Sequence, residues 1–117
     1  MTNTARAGWW LMLAGAALLV FVSSRYFTMD PAVYFPRQRA VYEANVLPLM
    51  LHVGGMVFAA ILGPFQFLRW LRARRPRLHR MTGRVYLVGA MVGGVSGVQM
   101  SFYAASGPRA GIGFALL

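Results

Sequence analysis

Three runs of this chain, residues 8–24, 46–68 and 85–105, contain no Asp, Glu, Lys or Arg. Extended by Tyr26 and Phe27, the first reaches about 8–27, so each approaches or exceeds the roughly 20 residues a helix needs to cross a hydrocarbon core about 30 Å thick. Inside lipid no water is available to backbone N–H and C=O groups, so an isolated apolar segment must satisfy them itself, as a helix does. The chain is therefore expected to be all-α, a polytopic transmembrane helical bundle with three full spans. After "SGPRAG" a further apolar run, "IGFALL", begins near residue 110 and the sequence ends, which reads as the start of a fourth span in a C-terminally truncated single membrane domain covering 1–117. A cleaved signal peptide at the N-terminus is disfavoured because only Arg6 supplies a basic n-region and no A-x-A site follows the apolar core.

Composition narrows the chemistry. Hydrophobic residues make up 58% of the chain, above the roughly 45–50% of soluble domains. The absence of cysteine removes disulfide frameworks, thiolate catalysis and Cys-ligated metal sites. No paired carboxylates, Ser/His/Asp set, phosphate-cradling loop or HExxH motif is present, and no metal site is expected.

Twelve basic residues, all arginine, face only Asp30 and Glu43. Seven of the twelve fall in "RWLRARRPRLHRMTGR", residues 69–84, against three in the segment 25–44. Short loops rich in Lys and Arg stay cytoplasmic, so 69–84 reads as an Arg-rich cytoplasmic loop, with the N-terminus inside and the first loop outside. Its tether between two apolar spans excludes a nucleic-acid clamp. Arg72, Arg74, Arg75 and Arg77 are instead expected to contact lipid phosphates, which guanidinium groups can bind bidentately. Trp9, Trp10, Trp70 and Tyr103 fall at span ends, where amphipathic rings favour the membrane interface. In the outer segment, Asp30-Pro31 and Phe35-Pro36 suggest helical turns, followed by a short amphipathic helix from Pro36 to Asn45.

Contact faces between membrane helices are enriched in small residues. In the third span Gly89, Gly93, Gly97, Ser101 and Ala105 recur every four positions and predict a packing seam. In the second, His52, Gly55, Ala59, Gly63 and Gln66 share a face that should point into the bundle, and Gly63-Pro64 predicts a kink. Intramembrane polar residues are functional candidates, so His52, Glu43 and Gln66 form the candidate ligand or proton-handling set. For Gln66 interhelical hydrogen bonding is the favoured role. His79 lies beyond the opposite end of the second span from His52, so one haem iron cannot take both.

The segments "YFPRQRAVYEA" (34–44), "HVGG" (52–55), "GPFQF" (63–67), "RARRPRLHRMTGRVY" (72–86) and "GIGFALL" (111–117) resemble a family of bacterial predicted membrane proteins known as domain of unknown function 2306. The resemblance implies an integral membrane helical bundle of undefined role and singles out His52, Gly63, Pro64, Gln66 and the cytoplasmic motif His79, Arg80, Gly83, Arg84 and Tyr86. It also implies a longer protein with further helices. The expected protein is a multi-pass component of the bacterial inner membrane, a structural or small-ligand-binding bundle whose partners are membrane lipids, further copies of itself or other membrane subunits. The alternative is a redox protein holding haem b or a quinone through His52, similar to cytochrome b561-like proteins.

Overall fold

The computed structural model describes residues 2–104, 107 and 112. Within them the chain forms helices and turns and no strand. The first membrane-crossing helix, α1, spans Asn3–Ser24 and continues as one 3-10 turn over Arg25–Thr28. It starts earlier than the apolar run does, because Thr2 caps it: the Thr2 hydroxyl oxygen accepts from the Ala5 N–H at 3.3 Å. Met29, at φ 54°, closes the turn at its far end by donating its N–H to the Tyr26 carbonyl at 3.2 Å.

The segment after α1 folds by its local signals. Asp30 caps a 3-10 turn at Pro31–Val33 through its Oδ1, which accepts the Ala32 N–H at 2.9 Å. The amphipathic helix expected from Pro36 to Asn45 is shorter, α2 at Arg39–Ala44. Residues 36–38 are taken up by a turn in which the Gln38 N–H reaches the Phe35 carbonyl at 2.8 Å. Phe35 is exposed, whereas Tyr34 and Tyr42 are both buried to 3% exposure. Together with Tyr26 they form an aromatic cluster, Tyr34 and Tyr42 meeting edge to face at 5.4 Å. Leu49, Val53 and Met100 complete this core at one end of the bundle.

The second crossing helix, α3, is Val46–Gln66, and the third, α5, is Pro76–Phe102. Pro64 lies in the final turn of α3, so the expected interruption coincides with the helix terminus. Between them the Arg-rich segment is not an open loop. Residues Arg69–Arg74 form α4, and α5 has already started at Pro76. The break between them is at Arg75 (φ −133°, ψ 61°), since the residue before a proline is sterically excluded from the helical region, and Pro76 is then accommodated at a first helical position. At about 1.5 Å per residue the 27 residues of α5 are some 40 Å long. That exceeds the hydrocarbon thickness, so its arginine-bearing first turns project beyond the core.

Among the described residues three helices, α1 with its 3-10 extension, α3 and α5, are long and apolar enough to cross a membrane. The intimate pair is α3 with α5; α1 lies against α3 and has no buried residue. The fourth span expected near residue 110 and Ala105, the last position of the expected seam, lie outside the described residues.

Candidate functional site

The polar side chains of the bundle are distributed along the α3–α5 interface, and what brings the two helices together is the absence of side chains. A Cβ on Gly55 would lie 2.5 Å from the Gly89 carbonyl oxygen and 2.6 Å from the Gly93 nitrogen. One on Gly93 would meet the Met56 nitrogen at 2.9 Å, and one on Gly89 the Gly55 oxygen at 3.0 Å. These glycines let backbone pack on backbone, the form of contact available to helices that gain little from hydrophobic burial in lipid.

The seam expected on α5 turns gradually. Gly89, Gly93 and Gly97 are buried, but Ser101 is half exposed and donates to the Val98 carbonyl of its own helix at 2.6 Å. Ser96 and Met100 are buried in its place. With about 100° per residue a four-residue repeat drifts by roughly 40° per step, which puts Ser101 about 120° from Gly89 and Met100 only about 20° from it.

At the tyrosine-rich end of this interface stands His52. Its Nδ1 lies 2.8 Å from the Gly93 carbonyl oxygen; a carbonyl can only accept, so Nδ1 carries the proton. The imidazole occupies space left by Gly97, where a Cβ would lie 2.6 Å from Nδ1 and 2.8 Å from Cε1. At the Arg-rich end stands Gln66, whose Nε2 donates to the Thr82 hydroxyl at 3.0 Å. The Thr82 hydroxyl in turn donates within α5, with the Leu78 carbonyl at 3.0 Å and the His79 carbonyl at 3.1 Å. A Cβ on Gly83 would approach Gln66 Oε1 at 3.1 Å, and one on Gly63 would touch the Tyr86 ring at 3.5 Å. The segments "GPFQF" and "HRMTGRVY" therefore meet each other, and "HVGG" meets the glycines of α5. This accounts for Thr82 and Gly83, positions that charge alone does not require.

His52 and Gln66 are separated by fourteen residues of α3, about 21 Å along the axis, and Glu43 is exposed on α2. The three do not converge on one point. His79 belongs to the opposite end from His52, and its Nδ1 is buried with no hydrogen-bond partner among the described residues. Arg72, Arg74, Arg75, Arg77, Arg80 and Arg84 are all exposed. Among the described residues no group of three or more His, Cys, Asp or Glu side chains is placed to hold a metal ion.

Two features escaped the reading of the sequence. Trp9, expected only as an interfacial anchor, donates its indole N–H to the Pro64 carbonyl at 2.9 Å and ties α1 to the end of α3. The tyrosine cluster carries the other. Burial, and secondarily the neighbouring phenol of Tyr26, pushes the Tyr42 hydroxyl up to about 12 from its ordinary 10.0. The spacing of eight between Tyr26, Tyr34 and Tyr42 was the available signal.

A family model described as "Predicted membrane protein (DUF2306)" matches residues 49–117. No curated protein and no solved structure matches the chain.

Proposed function

We propose that this chain, which belongs to the DUF2306 family of predicted membrane proteins, serves as a structural or small-ligand-binding helical bundle of the bacterial cytoplasmic membrane. Its N-terminus and Arg-rich end lie on the cytoplasmic side. The observation that carries this reading is the use made of the intramembrane polar groups: His52 hydrogen-bonds to the Gly93 backbone and Gln66 to Thr82, one tie near each end of the glycine contact. Polar side chains employed in this way fix the register of two helices. The arginines support the orientation, since seven of them fall in residues 69–84 after α3 and only three in residues 25–44. Helix α1, with no buried residue, offers a face to lipid, to another copy or to a further membrane subunit.

The chain has no cysteine, so single thiols can be introduced and probed in intact cells. A Phe35→Cys variant should react with a membrane-impermeant thiol reagent, and an Arg74→Cys variant only after permeabilisation; the reverse pattern would overturn the orientation. Cross-linking in native membranes should capture more than monomer, and recovery of monomer alone would count against the assembly role. A Soret band in the purified protein that disappears in His52→Ala would replace this reading with the haem-binding one.

A further inference from the structure

At the Arg-rich end lies a groove that the pairing of α3 with α5 does not use. It runs between the start of α1 and the turn leading from α3 into α4, with a volume of about 480 Å³. Gly8, Trp9, Met12 and Phe67 supply its apolar lining, and Thr2 and Arg69 its polar groups. Its size falls within the range of small-molecule sites. The wall is fixed on one side, because Trp9 is held to the Pro64 carbonyl. Gly8 leaves the space open: a Cβ there would meet nothing within 4 Å.

We propose that this groove binds a single anionic phospholipid, with an acyl chain along Gly8, Met12 and Phe67 and the phosphate on the Arg69 guanidinium. The Thr2 hydroxyl is the second donor, since its oxygen already accepts from Ala5 and its proton is available to a phosphate oxygen. Three observations converge on this occupant. The apolar slot carries its cation where the chain leaves the membrane, which is the layout of an amphiphile with a charged head. The surroundings are of one sign, because Arg69 begins a sixteen-residue stretch with seven arginines and no carboxylate, which favours a net-negative headgroup over a zwitterionic one. A second copy of this chain would bring a net charge of +10 of its own and is electrostatically mismatched to the site. The inference rests on the membrane location alone, and neither the orientation nor the assembly state proposed above enters it.

The test uses the full chain purified in a mild non-ionic detergent, with retained lipid measured by native mass spectrometry and affinity by titration of a short-chain phosphatidylglycerol. Wild-type protein should retain one anionic phospholipid. Arg69→Gln should weaken binding about tenfold or more, as expected for loss of a charge-assisted contact. Gly8→Leu should abolish retention by filling the slot, and it should do so without unfolding the chain, because the added side chain enters open space. Arg80→Gln, which neutralises an arginine outside the groove, should leave binding within about twofold of wild type. Titrated inorganic phosphate should fail to displace the lipid. Equal losses in Arg69→Gln and Arg80→Gln would reduce the effect to diffuse surface charge and overturn the proposal. So would displacement by phosphate alone, equal retention of zwitterionic lipid, unchanged retention in Gly8→Leu, or a wild-type dimer that Gly8→Leu converts to monomer.

Discussion

Replacing Gly55 by Ala adds one methyl group at the tightest point of the α3–α5 contact. That carbon would lie 2.5 Å from the Gly89 oxygen, 2.6 Å from the Gly93 nitrogen and 2.8 Å from the Gly93 Cα, all of them backbone atoms that cannot rotate aside. Ordinary contact begins at 3.4 Å, so the helices must part locally by about 0.9 Å. A gap of that size forfeits roughly a quarter to a half of each dispersion contact along the seam. It would also carry Gly93 away from His52, stretching a 2.8 Å hydrogen bond toward the limit at which it ceases to count, a loss of about 0.5–1.5 kcal/mol. Together the expected cost is about 2–3 kcal/mol, within the usual range for overpacking. The control is Gly54→Ala one residue away, where the new carbon would meet only the Phe27 ring at 3.9 Å. Both variants gain the same helix propensity, so their difference isolates packing. Reversible unfolding by SDS titration in mixed micelles measures it. Should Gly55→Ala prove no less stable than Gly54→Ala within about 0.5 kcal/mol, the backbone-on-backbone seam is wrong.

Gly97→Ala should displace the imidazole of His52, because its Cβ would fall 2.6 Å from Nδ1. Its cost and that of His52→Ala should therefore overlap, with a coupling of about 0.5–1.5 kcal/mol in a double-mutant cycle; simple additivity would contradict the contact. Trp9→Phe keeps an aromatic ring but removes the N–H donated to Pro64, a loss of about 1 kcal/mol that should loosen α1. SDS titration of Trp9→Phe should show that loss, and a stability unchanged within about 0.5 kcal/mol of wild type would remove that role. Tyr42 holds its proton more tightly when folded, with its hydroxyl pushed up to about 12 from 10.0. The unfolded chain thus binds fewer protons between those values, and stability should fall as pH rises from about 10 to about 12, by at most about 1.4 kcal/mol per pH unit. Tyr42→Phe should flatten this dependence in thermal unfolding across that window; parallel losses in both proteins would place the titration elsewhere.

The spans were legible because length and absence of charge decide them without any tertiary information. The small and polar residues of the second span likewise marked its contact face, since His52, Gly55 and Gln66 meet α5. The register was less legible. A strict count of four selected Ser101, whereas the helix turn of about 3.6 residues selects Ser96 and Met100, and a helical-wheel angle recovers this from the same residues. The Arg-rich stretch reads as a loop when judged by charge and as two helices when Pro76 is used as a start signal. Other features depend on distant segments. Nothing near Trp9 indicates that its indole will find a carbonyl 55 positions away. The convergence of "GPFQF" with "HRMTGRVY" likewise requires knowing that α3 and α5 run side by side. His79 remains the position with the least structural account, its Nδ1 buried without a partner among the described residues beside Thr82, Gly83 and Tyr86, which meet α3.

The pairing of α3 with α5 can be tested most directly by a disulfide. A Cβ on Gly89 would lie 3.3 Å from the Phe58 Cβ, and the few tenths of an ångström the helices must give would bring the pair into the roughly 3.5–4.5 Å range that a disulfide requires. In a chain without native cysteine, Phe58→Cys/Gly89→Cys should form an intramolecular disulfide on mild oxidation in native membranes. The matched pair Phe58→Cys/Gly94→Cys, whose second position opens away from any neighbour, should not. Selective closure of the first pair is the predicted result. Failure of that pair to close, or equal closure of both, would contradict the glycine-mediated contact on which the account rests.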